Sequence, residues 1–177
     1  MMHRLMIALP KDWPISAEAF ENEDNDWPVR WLKKIGRLPH QNNTWIGWVH
    51  TIPNGNPVQT IADTQFSGVI LLPSVLLPDE FYKLRTKDGN TIRFYGIVPL
   101  HQTEMDLKLN TSLEALEAKL EQHNIDILLD KRRANLVSTP SLTRPRIARF
   151  SVIVGLKSAE CQVNAGYESS PSGMLKR

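Results

Sequence analysis

The 177-residue sequence predicts an α+β domain with a mixed, mostly antiparallel sheet and packed helices. Three observations carry this. Strand-like and helix-like stretches are interspersed, without the regular alternation that parallel βαβ units require. Hairpin-type turn signals recur, at Pro53-Asn54-Gly55-Asn56-Pro57 and Lys87-Asp88-Gly89-Asn90. Apolar residues make up 41% and charged residues 23%, which suits one domain with a real core.

Arg4 to Leu9 reads as a strand that runs directly into Pro10 and ends there. Trp27, Trp31, Ile35 and Leu38 recur at helical spacing, with Arg30, Lys33, Lys34 and Arg37 on the wet side. The spacing predicts a helix with Asp26 as N-cap and Pro28 in its first turn, stopped by Pro39. Thr44 to Thr51 is aromatic and β-branched and reads as a strand. Phe66 to Leu72 reads as a strand buried on both faces. Thr91 to Val98 reads as another strand, ended by Pro99. Thr111-Ser112-Leu113-Glu114 fits a capping box, followed by a helix that buries Leu113, Leu116 and Leu120. Ile125 to Leu129 returns as a strand. Ser138 to Pro145 reads as a linker, Ile147 to Val154 as one further strand, and 164–177 as disordered. The expected organisation is a domain over 1–136 and a linker with a poorly ordered basic tail over 137–177.

No apolar run approaches the roughly 18 residues that span a bilayer. The apolar stretch near the N-terminus is too short for a secretory core, so a cytoplasmic location is expected. Cys161 is the single cysteine and can form no internal disulfide. Residues 1–136 hold 15 Lys/Arg and 17 Asp/Glu, whereas 137–177 hold six and two. A basic tail with Arg144, Arg146, Arg149, Lys176 and Arg177 offers a weak nucleic-acid reading. An unstructured end is the plainer one.

The search for catalytic motifs finds no nucleophile elbow, phosphate loop or dinucleotide fingerprint. The five histidines lack paired metal-ligand spacing, and neither metal nor cofactor is expected. His50 with Glu104 is the best catalytic-looking pair, each at a strand end, and supports an alternative hydrolase-like reading. The plainer reading of His50 is a hydrogen-bonded structural histidine. All five tryptophans fall within the first 48 residues. Trp27 and Trp31 read as core. Trp13 and Trp45 lie near chain breaks and are interface candidates. Arg132 and Arg133 follow an apolar strand. They are expected to be solvated, to fix the sheet end through Asp130 or Glu104, or to receive an acidic partner.

Taken together, these motifs resemble the suppressor-of-fused (SUFU) domain family. Leu5-Met6-Ile7-Ala8-Leu9-Pro10-Lys11-Asp12-Trp13 is similar to a strand-and-break of that family. Trp27-Pro28, Leu38-Pro39 and Thr44-Trp45 resemble the next block. Gly47-Trp48-Val49-His50-Thr51-Ile52-Pro53-Asn54-Gly55 resembles its Gly-x-x-His-Thr strand and turn. Phe94-Tyr95-Gly96-Ile97-Val98-Pro99-Leu100 with Glu104, then Asp130-Lys131-Arg132-Arg133, complete the series. The resemblance covers about residues 4–136. It implies an α+β fold and a non-catalytic protein-binding module. For bacterial members it implies an immunity protein that neutralises a toxin by binding it. On that reading Trp13, Trp45, His50, Glu104, Arg132 and Arg133 are the partner-binding candidates. Family members usually carry a further stretch before the first strand, so this copy reads as clipped at the front. An uncovered sheet edge would then favour a homodimer.

Overall fold

The computed structural model describes residues 2–73, 83–138, 152–157 and 160–165. Among the described residues seven strands form one sheet: β1 (Met2–Leu9), β2 (Thr51–Pro53), β3 (Gly68–Leu72), β4 (Lys83–Arg85), β5 (Thr91–Leu100), β6 (Val152–Lys157) and β7 (Glu160–Ala165). Their spatial order is β2-β3-β5-β1-β6-β7, with β4 also paired to β5. β1 and β5 run parallel, and every other strand pair is antiparallel. The expected mixed, mostly antiparallel sheet is therefore present. Three α-helices complete the described fold: α1 (Glu23–Gln41), α2 (Gln102–Asn110) and α3 (Leu113–Gln122).

The sheet is sandwiched. Leu5, Ile7 and Leu9 alternate onto one face and join Trp27, Trp31, Leu32 and Ile35 of α1. Met6 and Ala8 alternate onto the other, where they meet Met105 of α2 and Leu116 and Leu120 of α3. A strand covered on both faces has no polar side to show. This explains the unbroken apolar runs of β1 and β3. Each such side chain, fully buried, contributes on the order of 1.5–3 kcal/mol. Gly96 belongs to this packing, because a Cβ there would collide with Ile127 Cγ2.

Several local expectations are corrected. α1 begins earlier than Asp26, capped by Asn22, whose side chain accepts from the Asp24 N–H at 2.9 Å. Pro28 and Pro39 both lie inside the helix. Pro39 lacks the N–H that would bond the Ile35 carbonyl. The helix nevertheless continues to Gln41, where Asn42 N–H closes on Leu38 and Thr44 N–H on the Pro39 carbonyl. The strand expected over Thr44–Thr51 is confined to its end, since β2 starts at Thr51. Pro99 does not stop β5. Its carbonyl accepts from Arg133, and an extended residue points N–H and C=O to the same side. The missing donor thus faces Arg133 and costs the β3 ladder nothing.

α2 has no counterpart in the sequence reading. The cap of α3 is Ser112 rather than Thr111, its hydroxyl accepting from Ala115 N–H at 3.2 Å. The strand expected at Ile125–Leu129 is reduced to a parallel bridge on β1, Ala8 to Leu128. It takes up the flank of β1 that β5 leaves after the Met6–Gly96 pair. The further strand expected over Ile147–Val154 overlaps β6 (Val152–Lys157) at Val152–Val154, its earlier part lying outside the described residues, and β7 then takes in Asn164 and Ala165, which the sequence assigns to a disordered end. β6 lines the other flank of β1, from Met6 to Leu9. The remainder of 139–177, including Arg144, Arg146, Arg149, Lys176 and Arg177, lies outside the described residues.

Candidate partner-binding surface

Four of the six sequence candidates form two groups, Glu104 with Arg133 in a buried lock and Trp45 with His50 at an exposed aromatic corner, and Trp13 and Arg132 belong to neither. The lock joins Glu104, in the first turn of α2, to Arg133. Two short contacts of 2.6 Å pair the guanidinium with both carboxylate oxygens. The two side chains are 0% and 6% exposed respectively. Glu104 also accepts from the N–H groups of His101 and Leu136 at 2.9 Å each. Arg133 donates to the Pro99 carbonyl and covers the Phe66 ring. The His101 ring meets the carbonyls of Gln65 and Arg133. Burial is the largest influence on Glu104 and raises its pKa. The Arg133 hydrogen bonds and charge, with the two N–H groups, outweigh it and hold the carboxyl below its ordinary range. Both oxygens are committed to this network, so Glu104 has none to offer His50. The lock ties residues 130–136 to the end of β5 and the start of α2.

Trp13 is half-buried. Its indole N–H donates to the Asn25 carbonyl at 3.0 Å, and its ring meets Trp27 edge-on. Lys131 lies over that ring and pairs with Asp63. Trp13 therefore pins the connector after β1 to α1. Arg132 is exposed, and its backbone N–H closes a turn on the Asp130 carboxylate.

The exposed corner is built by residues 44–50. Trp45 is 71% exposed and Trp48 53%. The Trp45 ring is nonetheless held. It lies across Gly47, where a Cβ would come within 2.8 Å of Cζ3, and against the His50 ring at 4.4 Å between centroids. One face of the indole is thus supported from behind while much of the side chain remains in solvent. The support is itself braced. Val49 N–H bonds the Leu71 carbonyl, and Leu71 N–H bonds that of His50. Lys108 of α2 donates to the Val49 carbonyl and to Thr51 Oγ1. Burial lowers the Lys108 pKa. Val49 sits at φ +60°, a costly conformation for a β-branched residue, of order 1–3 kcal/mol. These bonds on both sides hold it there.

The structure thus places Trp45 and His50 together, and Glu104 and Arg133 together, and keeps the two pairs in different networks. Sequence reasoning missed Gly47, Trp48 and Lys108. A glycine between two tryptophans, Trp45-Ile46-Gly47-Trp48, is the signal that could have found the first two. Nothing in the sequence points to Lys108.

Residues 5–134 match the family described as Suppressor of fused protein (SUFU). No curated protein matches significantly. Among solved structures, the chain is similar to the Sufu–Fu complex at TM-score 0.47 and 17% identity, covering 63% of this chain and 46% of that one. It is similar to Drosophila Suppressor of Fused at 0.49 and 16%, covering 63% and 25%. It is also similar to a SUFU homologue from Neisseria gonorrhoeae at 0.49 and 25%, covering 65% and 59%. The chain therefore spans less than two thirds of the length of each of these three.

Proposed function

The chain belongs to the suppressor of fused (SUFU) family, and from that premise we propose that it works as a protein-binding module with the Trp45 corner as its contact surface. One observation carries the choice of surface: a tryptophan mostly in solvent is held in place from behind. Large aromatic side chains dominate binding hot spots, and a ring already held in position loses little entropy on binding. In its finer form the proposal makes this a bacterial immunity protein acting in the cytoplasm, with a toxin as partner. The module carries no catalytic step of its own. The hydrolase-like alternative needed Glu104 to work with His50, and the commitment of both Glu104 oxygens weighs against it. Among the described residues no helix is long and apolar enough to cross a membrane.

The test is co-expression with the products of neighbouring genes. One product is expected to co-purify at fixed stoichiometry, and its toxicity to cells to be relieved by this chain. Trp45→Ala should weaken that complex by at least about thirtyfold, the scale of a hot-spot residue. Gly47→Ala should weaken it less, by displacing the ring without removing it. A partner held equally well by both variants sinks the proposed surface. Toxicity that persists despite a stable complex sinks the immunity form alone.

A further inference from the structure

We infer that the Trp45 corner takes an acidic polypeptide segment bearing a large apolar side chain, with its carboxylates along the outer face of α1 and the apolar group on the Trp45 indole. This rests on the reading of Trp45 as anchor and adds the chemistry of what it anchors. Residues 27–62 contain Arg30, Lys33, Lys34 and Arg37 and not one Asp or Glu. The rest of 1–136 has the opposite bias, with 17 acidic and 11 basic residues. The run is therefore not a reflection of overall composition.

Two of the four cations are occupied. Arg30 pairs with Glu23 and Asp26, and Lys34 lies over Trp31 and donates to Asn54. Lys33 and Arg37 are exposed one turn apart, and neither enters an ion pair among the described residues. His40 is exposed at the next turn. Thr44 N–H on the Pro39 carbonyl then holds the chain against the last turn of α1. Trp45 consequently stands where the basic stripe ends. Compensation of the helix dipole does not account for the stripe. That benefit is confined to the last turn, and Lys33 lies about two turns before Gln41.

A single-stranded nucleic acid would also meet cations and an aromatic ring. Outside the stripe, residues 1–136 hold 17 acidic and 11 basic residues, which opposes a polyanion running past α1, whereas a short acidic segment meets only the local stripe. The observations favour the polypeptide.

The test is selection from a random dodecapeptide phage library on the full chain. The recovered peptides are expected to be net acidic with an aromatic or large aliphatic residue. Their binding should fall about tenfold in the Lys33→Glu/Arg37→Glu variant and weaken with added salt. Neutral or basic peptides, no recovered peptides, or binding unchanged by the charge reversal would overturn the inference. Peptides lost on Trp45→Ala but indifferent to the charge reversal would leave the anchor standing and remove only its acidic partner. Acidic peptides indifferent to Trp45→Ala would remove the anchor itself. Displacement of the peptides by a single-stranded oligonucleotide at equal or lower concentration would overturn the choice of a polypeptide.

Discussion

Glu104 and Arg133 show how a residue chosen for its chemistry can serve the fold. From the sequence alone this arginine has three possible roles: solvation, fixing of the sheet end through Asp130 or Glu104, and contact with an acidic partner. The geometry matches the second, with Glu104 as the partner. A buried ion pair is strongly destabilising to break from one side, because the remaining charge has no water. Arg133→Met is expected to cost about 3–5 kcal/mol in urea denaturation, and adding Glu104→Gln should recover part of it. A double variant no more stable than the single one would show that the loss came from elsewhere, such as the Phe66 contact. The same pair sets an acid limit. With its folded pKa depressed, Glu104 contributes stability that is fully present above the ordinary glutamate value of about 4.3. That contribution declines as the pH falls toward the folded pKa. The stability of Glu104→Gln should therefore change less across this acidic window than that of the parent. Parallel acid limbs in the two proteins would exclude Glu104 as their source. Of this network, the carboxylate and the arginine were legible as charged residues beside strand ends. The His101 and Leu136 contacts were not, because backbone donors leave no mark in a sequence.

Among the elements, the best-read are those whose periodicity is set by burial. β1, β3 and α3 follow from their apolar patterns, and so does the buried stripe of α1. α2 was illegible because Met105, Leu107 and Leu109 do not line one helical face, and Leu109 is exposed. Two prolines read as terminators, Pro39 and Pro99, act as neither. In one case the helix end is closed by later N–H groups, in the other the absent donor faces a side chain instead of a strand. β6 illustrates a pairing that sequence could only partly suggest. It lines β1 along Met6–Leu9, the flank that would otherwise be a free edge. Ending the chain after Ser138 should uncover that edge, and an uncovered apolar edge recruits another strand. Sedimentation velocity should then show self-association that grows with concentration. A truncated chain that stays monomeric across the range would mean that β6 is not what keeps the edge closed.

For the whole molecule, the α+β class and the antiparallel bias were readable from interspersed elements and hairpin turns. The sandwich was readable only in part. Two-sided burial, expected for β3 alone, implies cover on both faces but does not say which helix covers which. The parallel union of β1 with β5 was not readable, since a parallel partner can lie anywhere along the chain. That union, with β6 on the other flank, makes β1 the strand on which distant parts of the sequence converge. Ile7 stands opposite Val154, and Leu5 opposite Tyr95. Most of the chain must therefore be synthesised before β1 can acquire both neighbours. Until then its Leu-Met-Ile-Ala-Leu run has one flank unpaired and open to solvent. A topology of such long sequence separations folds slowly, and keeps an apolar strand exposed to aggregation until its distal partners emerge.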